Sequence, residues 1–265
     1  MMKQLMPATK IASVWAWFIP LIPLGLAIAI YLLDLQTSTF LSLNQYTQLL
    51  PDVIWAWLTF LGNGWGIFAL CFPLLLLAPR LLSGCIFSAA IAGVISSILK
   101  PLLDMPRPAS ILEADSFYRI GEPLLYKAMP SGHTLTAFAV AAAIYYGSDR
   151  QSRSTTWLAL LIAAFVGISR SAIGAHWLTD VLAGAAIGLW CGLLGVYLAK
   201  YIPEKQLGCN KTWPRLIALA GIFTIYTLLT KQIDLVLTQP LQFACVILIG
   251  ITLIIFLKSQ RLRSN

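Results

Sequence analysis

The sequence predicts an all-α fold, a polytopic membrane helical bundle with eight spans. Three observations lead there. Hydrophobic residues make up 59% of the 265 positions and charged residues only 11%, both far from the averages of soluble domains. Uncharged apolar runs recur at the length a helix needs to cross a bilayer. The basic residues, which give a net charge of +8, gather at the ends of those runs. That placement is a topology signal rather than a nucleic-acid-binding surface, so no nucleic-acid partner is expected and the bilayer is.

Residues 11–33 are long enough to span and too long for a cleavable leader, so they read as an anchor. Residues 34–52 are polar and carry no Lys or Arg. The run from Val53 to Pro79 exceeds one span; its Trp-rich start suits the interface, and the span proper is expected after the Gly62-Asn63-Gly64 turn. Further spans are expected at about 81–99, 132–147, 155–173, 177–199, 214–230 and 238–257. The five cysteines form no CxxC pair and neither histidine sits near one, which argues against a metal site or a disulfide framework.

Counting cations orients the bundle. With the N-terminus in the cytoplasm, that side holds Lys3, Lys10, Arg80, Arg150, Arg153, Lys200, Lys205, Lys211, Arg215, Lys258, Arg261 and Arg263. The other side keeps Lys100, Arg107, Arg119, Lys127, Arg170 and Lys231. Both termini are therefore expected in the cytoplasm. Lys100, Arg107 and Arg170 stand at span ends on the side that topology disfavours for cations, which makes them functional candidates.

Three patches carry chemistry, and all map to the outer face. The first, Lys100 to Pro108, ends the third span with two cations and a backbone stiffened by Pro106 and Pro108; Asp104 between them can pair with either cation. The second, Pro130-Ser131-Gly132-His133, opens a helix, with Ser131 as its N-cap and Gly132 allowing close approach. A helix N-terminus of this kind attracts an anion, and His133 stands in its first turn. The third is Ser169 to Asp180. His176 and Asp180 are four apart, one helical turn, so the carboxylate can orient the imidazole and leave its other nitrogen free. Arg170 adds a planar fork of donors suited to an oxyanion. Snorkelling cations and an ordinary helix start would explain the first two patches singly. The only two histidines of the chain on one membrane face, beside three cations, describe a site for a phosphate.

Together, Lys100-x6-Arg107-Pro108, Pro130-Ser131-Gly132-His133 and Ser169-Arg170-x5-His176-x3-Asp180 resemble the three-part signature of the type 2 phosphatidic acid phosphatase (PAP2) superfamily. The membrane composition points to its lipid-phosphatase branch. The resemblance covers roughly residues 60–200 and implies a six-helix phosphatase core; the two additional C-terminal transmembrane helices counted from hydropathy are not explained by it. The whole chain is then one integral membrane domain, with a core at about 11–200 and the added pair at about 212–258.

The resemblance also implies roles. His176 would attack phosphorus to form a phosphohistidine, with Asp180 holding its ring. His133 would protonate the leaving oxygen and later help activate water. Lys100, Arg107, Arg170, the Ser131 hydroxyl and the Gly132 N–H would bind the phosphate oxygens. No metal or cofactor is implied. The expected substrate is a membrane lipid phosphate or pyrophosphate, undecaprenyl pyrophosphate first, cleaved at the periplasmic face of a bacterial inner membrane. Alternatives are a lipid A 1-phosphatase, a lipid-to-lipid phosphotransferase, and a non-catalytic phospholipid transporter or scramblase.

Overall fold

The computed structural model describes residues 13–149 and 151–261. Lys3, Lys10, Arg150 and Arg263, four of the cations in the orientation count, lie outside them. Among the described residues there are twelve α-helices and no strand. In order these are α1 (Leu21–Leu32), α2 (Gln36–Thr47), α3 (Asp52–Gly62), α4 (Gly64–Cys71), α5 (Leu74–Leu77), α6 (Pro79–Leu103), α7 (Pro108–Ile111), α8 (Gly132–Gly147), α9 (Arg153–Ala172), α10 (Leu178–Ala199), α11 (Thr212–Thr230) and α12 (Gln239–Arg261).

Among the described residues, six helical stretches are long and apolar enough to cross a membrane: Val14–Leu32, Pro79–Ile111, Arg153–Ala172, Leu178–Ala199, Thr212–Thr230 and Val236–Arg261. The protein is therefore a multi-pass membrane protein. The two remaining expected spans are built differently. The second is a broken pair, α3 and α4, bent by 76° at the Gly62-Asn63-Gly64 turn. Asn63 sits at the break in an extended conformation, and its side chain accepts from the Trp65 N–H to cap α4. The fourth, α8, has 16 residues and at 1.5 Å per residue is about 24 Å long, short of a full hydrocarbon core.

Helix α10 is the axis of the bundle. It is 67% buried along its apolar window, against 22–39% for the other spanning helices. A row of small residues lets it lie close to α8: a Cβ at Gly184 would come within 2.8 Å of Ser131 O, and one at Gly188 within 2.5 Å of Leu135 O. In lipid, where no hydrophobic force drives helices together, such close backbone approach supplies the packing. Further along, Gly195 faces Ser88 and Gly84 of α6 in the same way. The outer surfaces of α1, α11 and α12 expose Ile22, Phe223, Ile247 and Ile254, the side chains expected against acyl tails.

The polar stretch 34–52, too polar to span, nevertheless holds a helix. Helix α2 buries Phe40, Asn44 and Thr47. The Asn44 amide donates to Tyr118 O, Ser171 O and Ala172 O at 2.9, 3.0 and 3.2 Å, and its oxygen accepts from Tyr118 N at 2.8 Å. One buried amide thus ties the 112–131 loop to the end of α9. The added pair α11–α12 packs against itself and against α4 and α5.

Candidate active site

The site lies where the C-terminal ends of α6 and α9 meet the N-terminal ends of α8 and α10. Its foundation is the turn between α9 and α10. Gly174 takes φ +74°, a conformation that costs side chains with a Cβ, and a Cβ there would also come within 2.9 Å of Tyr118 O. The turn folds back so that the N–H groups of Ala175 and His176 donate to Arg170 O at 2.9 and 3.2 Å. The Ser171 hydroxyl closes the loop on His176 O at 3.1 Å. His176 is consequently fixed before its side chain makes any contact, and it is 1% exposed.

Asp180 stands in the first turn of α10, where its carboxylate meets unsatisfied N–H groups. Its Oδ2 accepts from the Trp177 N–H at 3.0 Å and from His176 Nδ1 at 3.2 Å. On the far side of the ring, Arg107 Nη1 lies 3.1 Å from His176 Nε2. A guanidinium only donates and a carboxylate only accepts, so these neighbours select the tautomer with hydrogen on Nδ1 and a lone pair on Nε2. Burial pushes the His176 imidazole well below the ordinary histidine range, with Arg107, Arg170, Lys100 and His133 adding repulsion in that order. Those four groups therefore all act on His176, whose unprotonated Nε2 faces Arg107.

The three cations differ in how they are held. Arg107 is 7% exposed and largely spent on carbonyls: Nε donates to Tyr126 O at 2.8 Å and Nη1 to Ala175 O at 2.9 Å. It pins the loop between α7 and α8 against the α9–α10 turn as well as facing His176. Lys100 Nζ donates to Lys127 O at 3.2 Å. Arg170 is 4% exposed, and its Nε is buried with no hydrogen-bond partner among the described residues. An unsatisfied buried donor is costly, which suits a group waiting for an anion. Arg170 lines a cavity of about 420 Å³ together with Gly174, Ala175, Gln232 and Asp234.

Ser131 occupies the N-cap position of α8, but its side chain caps no backbone N–H; its oxygen instead accepts from Thr134 Oγ1 at 2.9 Å. Its own N–H donates to Asp180 O at 3.0 Å, which locks the starts of α8 and α10 together. Gly132 lies beside Lys100, whose Cε would be 3.7 Å from a Cβ at that position. Asp104 pairs with neither flanking cation; it ends α6 in the left-handed region at φ +37°.

One contact was not foreseen. His133 Nε2 lies 3.0 Å from Oδ1 of Asp234, in the connector between α11 and α12. Asp234 Oδ2 in turn accepts from Asn63 Nδ2 at 3.0 Å. The available signal was a lone acidic residue in the short connector of the added pair, which local spacing does not link to anything.

The sequence model described as the PAP2 superfamily matches residues 81–204. The chain is 40% identical over 81 residues to a lipid A 1-phosphatase of Porphyromonas gingivalis, covering 31% of this chain and 18% of that protein. It is 31% identical over 121 residues to phosphatidylglycerophosphatase B of Bacillus subtilis, covering 42% of this chain and 53% of that one. The chain thus spans about half or less of the length of these curated relatives. Among solved structures, Aquifex aeolicus LpxE superposes with a TM-score of 0.55 at 28% identity, covering 62% of this chain and 95% of that chain. All three signature segments lie inside the matched residues, and the helices superpose on those of a solved membrane relative, so residues 81–204 of this chain are a PAP2-superfamily region.

Proposed function

We propose that the protein is an integral membrane lipid phosphatase that works through a phosphohistidine on His176. The observation that carries this reading is the chain Arg107–His176–Asp180, in which one ring nitrogen is held by a carboxylate and the other keeps its lone pair beside a guanidinium. An imidazole arranged this way is a nucleophile aimed at an anion.

In the first half-reaction, His176 Nε2 forms a bond to phosphorus while the bond from phosphorus to the lipid oxygen breaks. His133 delivers a proton to that oxygen, a contribution worth about 10²–10⁴ in rate. In the second, water attacks the phosphohistidine, His133 takes a proton from it, and Nε2 leaves with its lone pair restored. Asp180 stabilises the Nδ1–H through both steps. Arg170, Lys100, Arg107, the Ser131 hydroxyl and the Gly132 N–H hold the non-bridging oxygens. Such preorganised donors typically account for most of the acceleration.

The lipid headgroup enters from the outer leaflet, with the site facing the periplasm of a bacterial inner membrane. Similarity to a lipid A 1-phosphatase favours a phosphate carried on lipid A, with undecaprenyl pyrophosphate as the second candidate. The test is phosphate release by the purified protein from a panel of lipid A 1-phosphate, undecaprenyl pyrophosphate, phosphatidylglycerophosphate and phosphatidate, in detergent with EDTA. Release from at least one, lost in His176→Ala, is expected. Release from none, with binding of the same lipids intact, would overturn the reading in favour of a transporter.

A further inference from the structure

The added helix pair α11–α12 lies beyond the residues matched by the family model, yet it contributes a side chain to the site. We propose that Asp234 is a positioning residue that fixes the ring and tautomer of His133, so that the C-terminal pair completes the proton-transfer half of the reaction. This rests on the reading of His133 as the group that protonates the leaving oxygen.

Three observations support it. First, both oxygens of Asp234 are used: Oδ1 accepts from His133 Nε2 and Oδ2 from Asn63 Nδ2, each at 3.0 Å. Second, Asn63 is itself fixed, because its oxygen caps α4 through Trp65 N at 3.0 Å. The carboxylate is therefore anchored to the bend in the second span, and a Cβ at neighbouring Gly62 would lie 2.9 Å from His133 O, so the bend and His133 are in close contact. Third, Asp234 sits at φ +55°, a sparsely populated conformation for a residue with a Cβ, in a connector held by Thr238 Oγ1 to Ile233 O and Leu235 O, both at 2.7 Å. Backbone strain held in place by surrounding bonds accompanies functional positions.

The chemical consequence is definite. A carboxylate only accepts, so Nε2 of His133 keeps its hydrogen and the exchangeable proton belongs to Nδ1. In the forward step the proton moves from Nδ1 to the lipid oxygen as the bond from phosphorus to oxygen breaks, leaving neutral His133 with hydrogen on Nε2. In hydrolysis Nδ1 takes a proton from the attacking water. While His133 is protonated Asp234 is held ionised: burial pushes its carboxyl up, but the hydrogen bond and charge of His133, then Arg170 and Asn63, more than offset that and hold it below the ordinary range.

The test compares Asp234→Asn, Asp234→Glu, His133→Ala and His176→Ala on two substrates. One is phosphatidate, whose alkoxide leaves only with a proton; the other is 4-nitrophenyl phosphate, whose phenolate leaves without one. Asp234→Asn is expected to lower kcat on phosphatidate by about 10- to 100-fold, the scale for losing a partner that orients a functional imidazole. The loss on 4-nitrophenyl phosphate should be about ten times smaller, and KM should hardly move. Asp234→Glu should recover part of the difference. In the His133→Ala background, adding Asp234→Asn should cause no further loss. Equal losses on both substrates would reduce Asp234 to a structural role. Higher activity or a lower KM would make it a carboxylate that competes with phosphate, and either result overturns the proposal. His176→Ala reports separately on the underlying reading, because turnover surviving in that variant discards the nucleophile itself, whatever Asp234 does.

Discussion

His176 meets its carboxylate one helical turn away, whereas His133 meets its carboxylate 101 positions along the chain. The two pairs are also wired in opposite senses. Asp180 takes Nδ1 of its imidazole and leaves Nε2; Asp234 takes Nε2 and leaves Nδ1. The first pair is almost wholly enclosed, with both side chains at 2% exposure, while the second keeps 22% and 17%. A nucleophile gains from exclusion of water and from a rigid local frame. A group that passes protons to and from water has to remain in reach of it. The contrast suits the different work proposed for two side chains of the same type, and each consequence can be used to break the comparison.

The largest effect belongs to the enclosed pair. His176→Ala should lower turnover by on the order of 10⁴-fold or more on every substrate, because no group replaces the attacking nitrogen. Rapid quench with labelled substrate should show no phosphoenzyme. Next comes Asp180→Asn, which should cost about 10²–10⁴ through loss of the attacking tautomer. Steady-state kinetics should show that loss equally for alkyl and nitrophenyl leaving groups; a loss confined to alkyl substrates would erase the distinction between the pairs.

His133→Ala follows, with about 10²–10⁴ lost on lipid substrates and much less where the leaving group needs no proton.

A smaller effect is a displacement of the pH profile. The His176 imidazole is held below the ordinary histidine range by burial, then by Arg107, Arg170, Lys100 and His133, against the attraction of Asp180 on the same ring. The sign follows directly: a depressed group stays unprotonated as pH falls through 6.5, so activity that depends on its lone pair is retained there. It is lost only on approach to the lower value. Lys100→Met removes one repelling charge, makes protonation easier, and should move the acid limb of kcat/KM upward. An unmoved or lowered limb, with the same substrate, would show that Lys100 does not act on His176. The smallest effect is expected for Asn63→Ala, which leaves Asp234 in place with one oxygen unpartnered. A loss of a few-fold, confined to alkyl leaving groups, is anticipated from the modest net value of a single hydrogen bond. EDTA should leave all these rates unchanged, since in the proposed mechanism Lys100, Arg107 and Arg170 supply the positive charge.

The legibility of these features follows from distance along the chain. The His176–Asp180 pair was readable because four residues make one turn, whatever the rest of the protein does. The break at Gly62-Asn63-Gly64 was readable from local turn chemistry, although its 76° bend and the role of Asn63 were not. Helix α2 was missed for a physical reason: its mean apolarity is low because it buries only Phe40, Asn44 and Thr47 and never spans. Arg107 was expected to hold phosphate; that most of its donors serve backbone carbonyls of its own loop and of the α9–α10 turn came only from the fold.

The amino-acid sequence alone determined six of the expected spans, their order, and the groups gathered at helix ends, because hydropathy, caps and turn residues act over a few positions. Tertiary structure decided which helix became the axis, which cation kept an unsatisfied donor, and that the connector at Asp234 reaches His133. Those outcomes depend on close approach between helices remote in sequence, set by small residues on α10 and a bend in the second span, and no local pattern encodes such a distance.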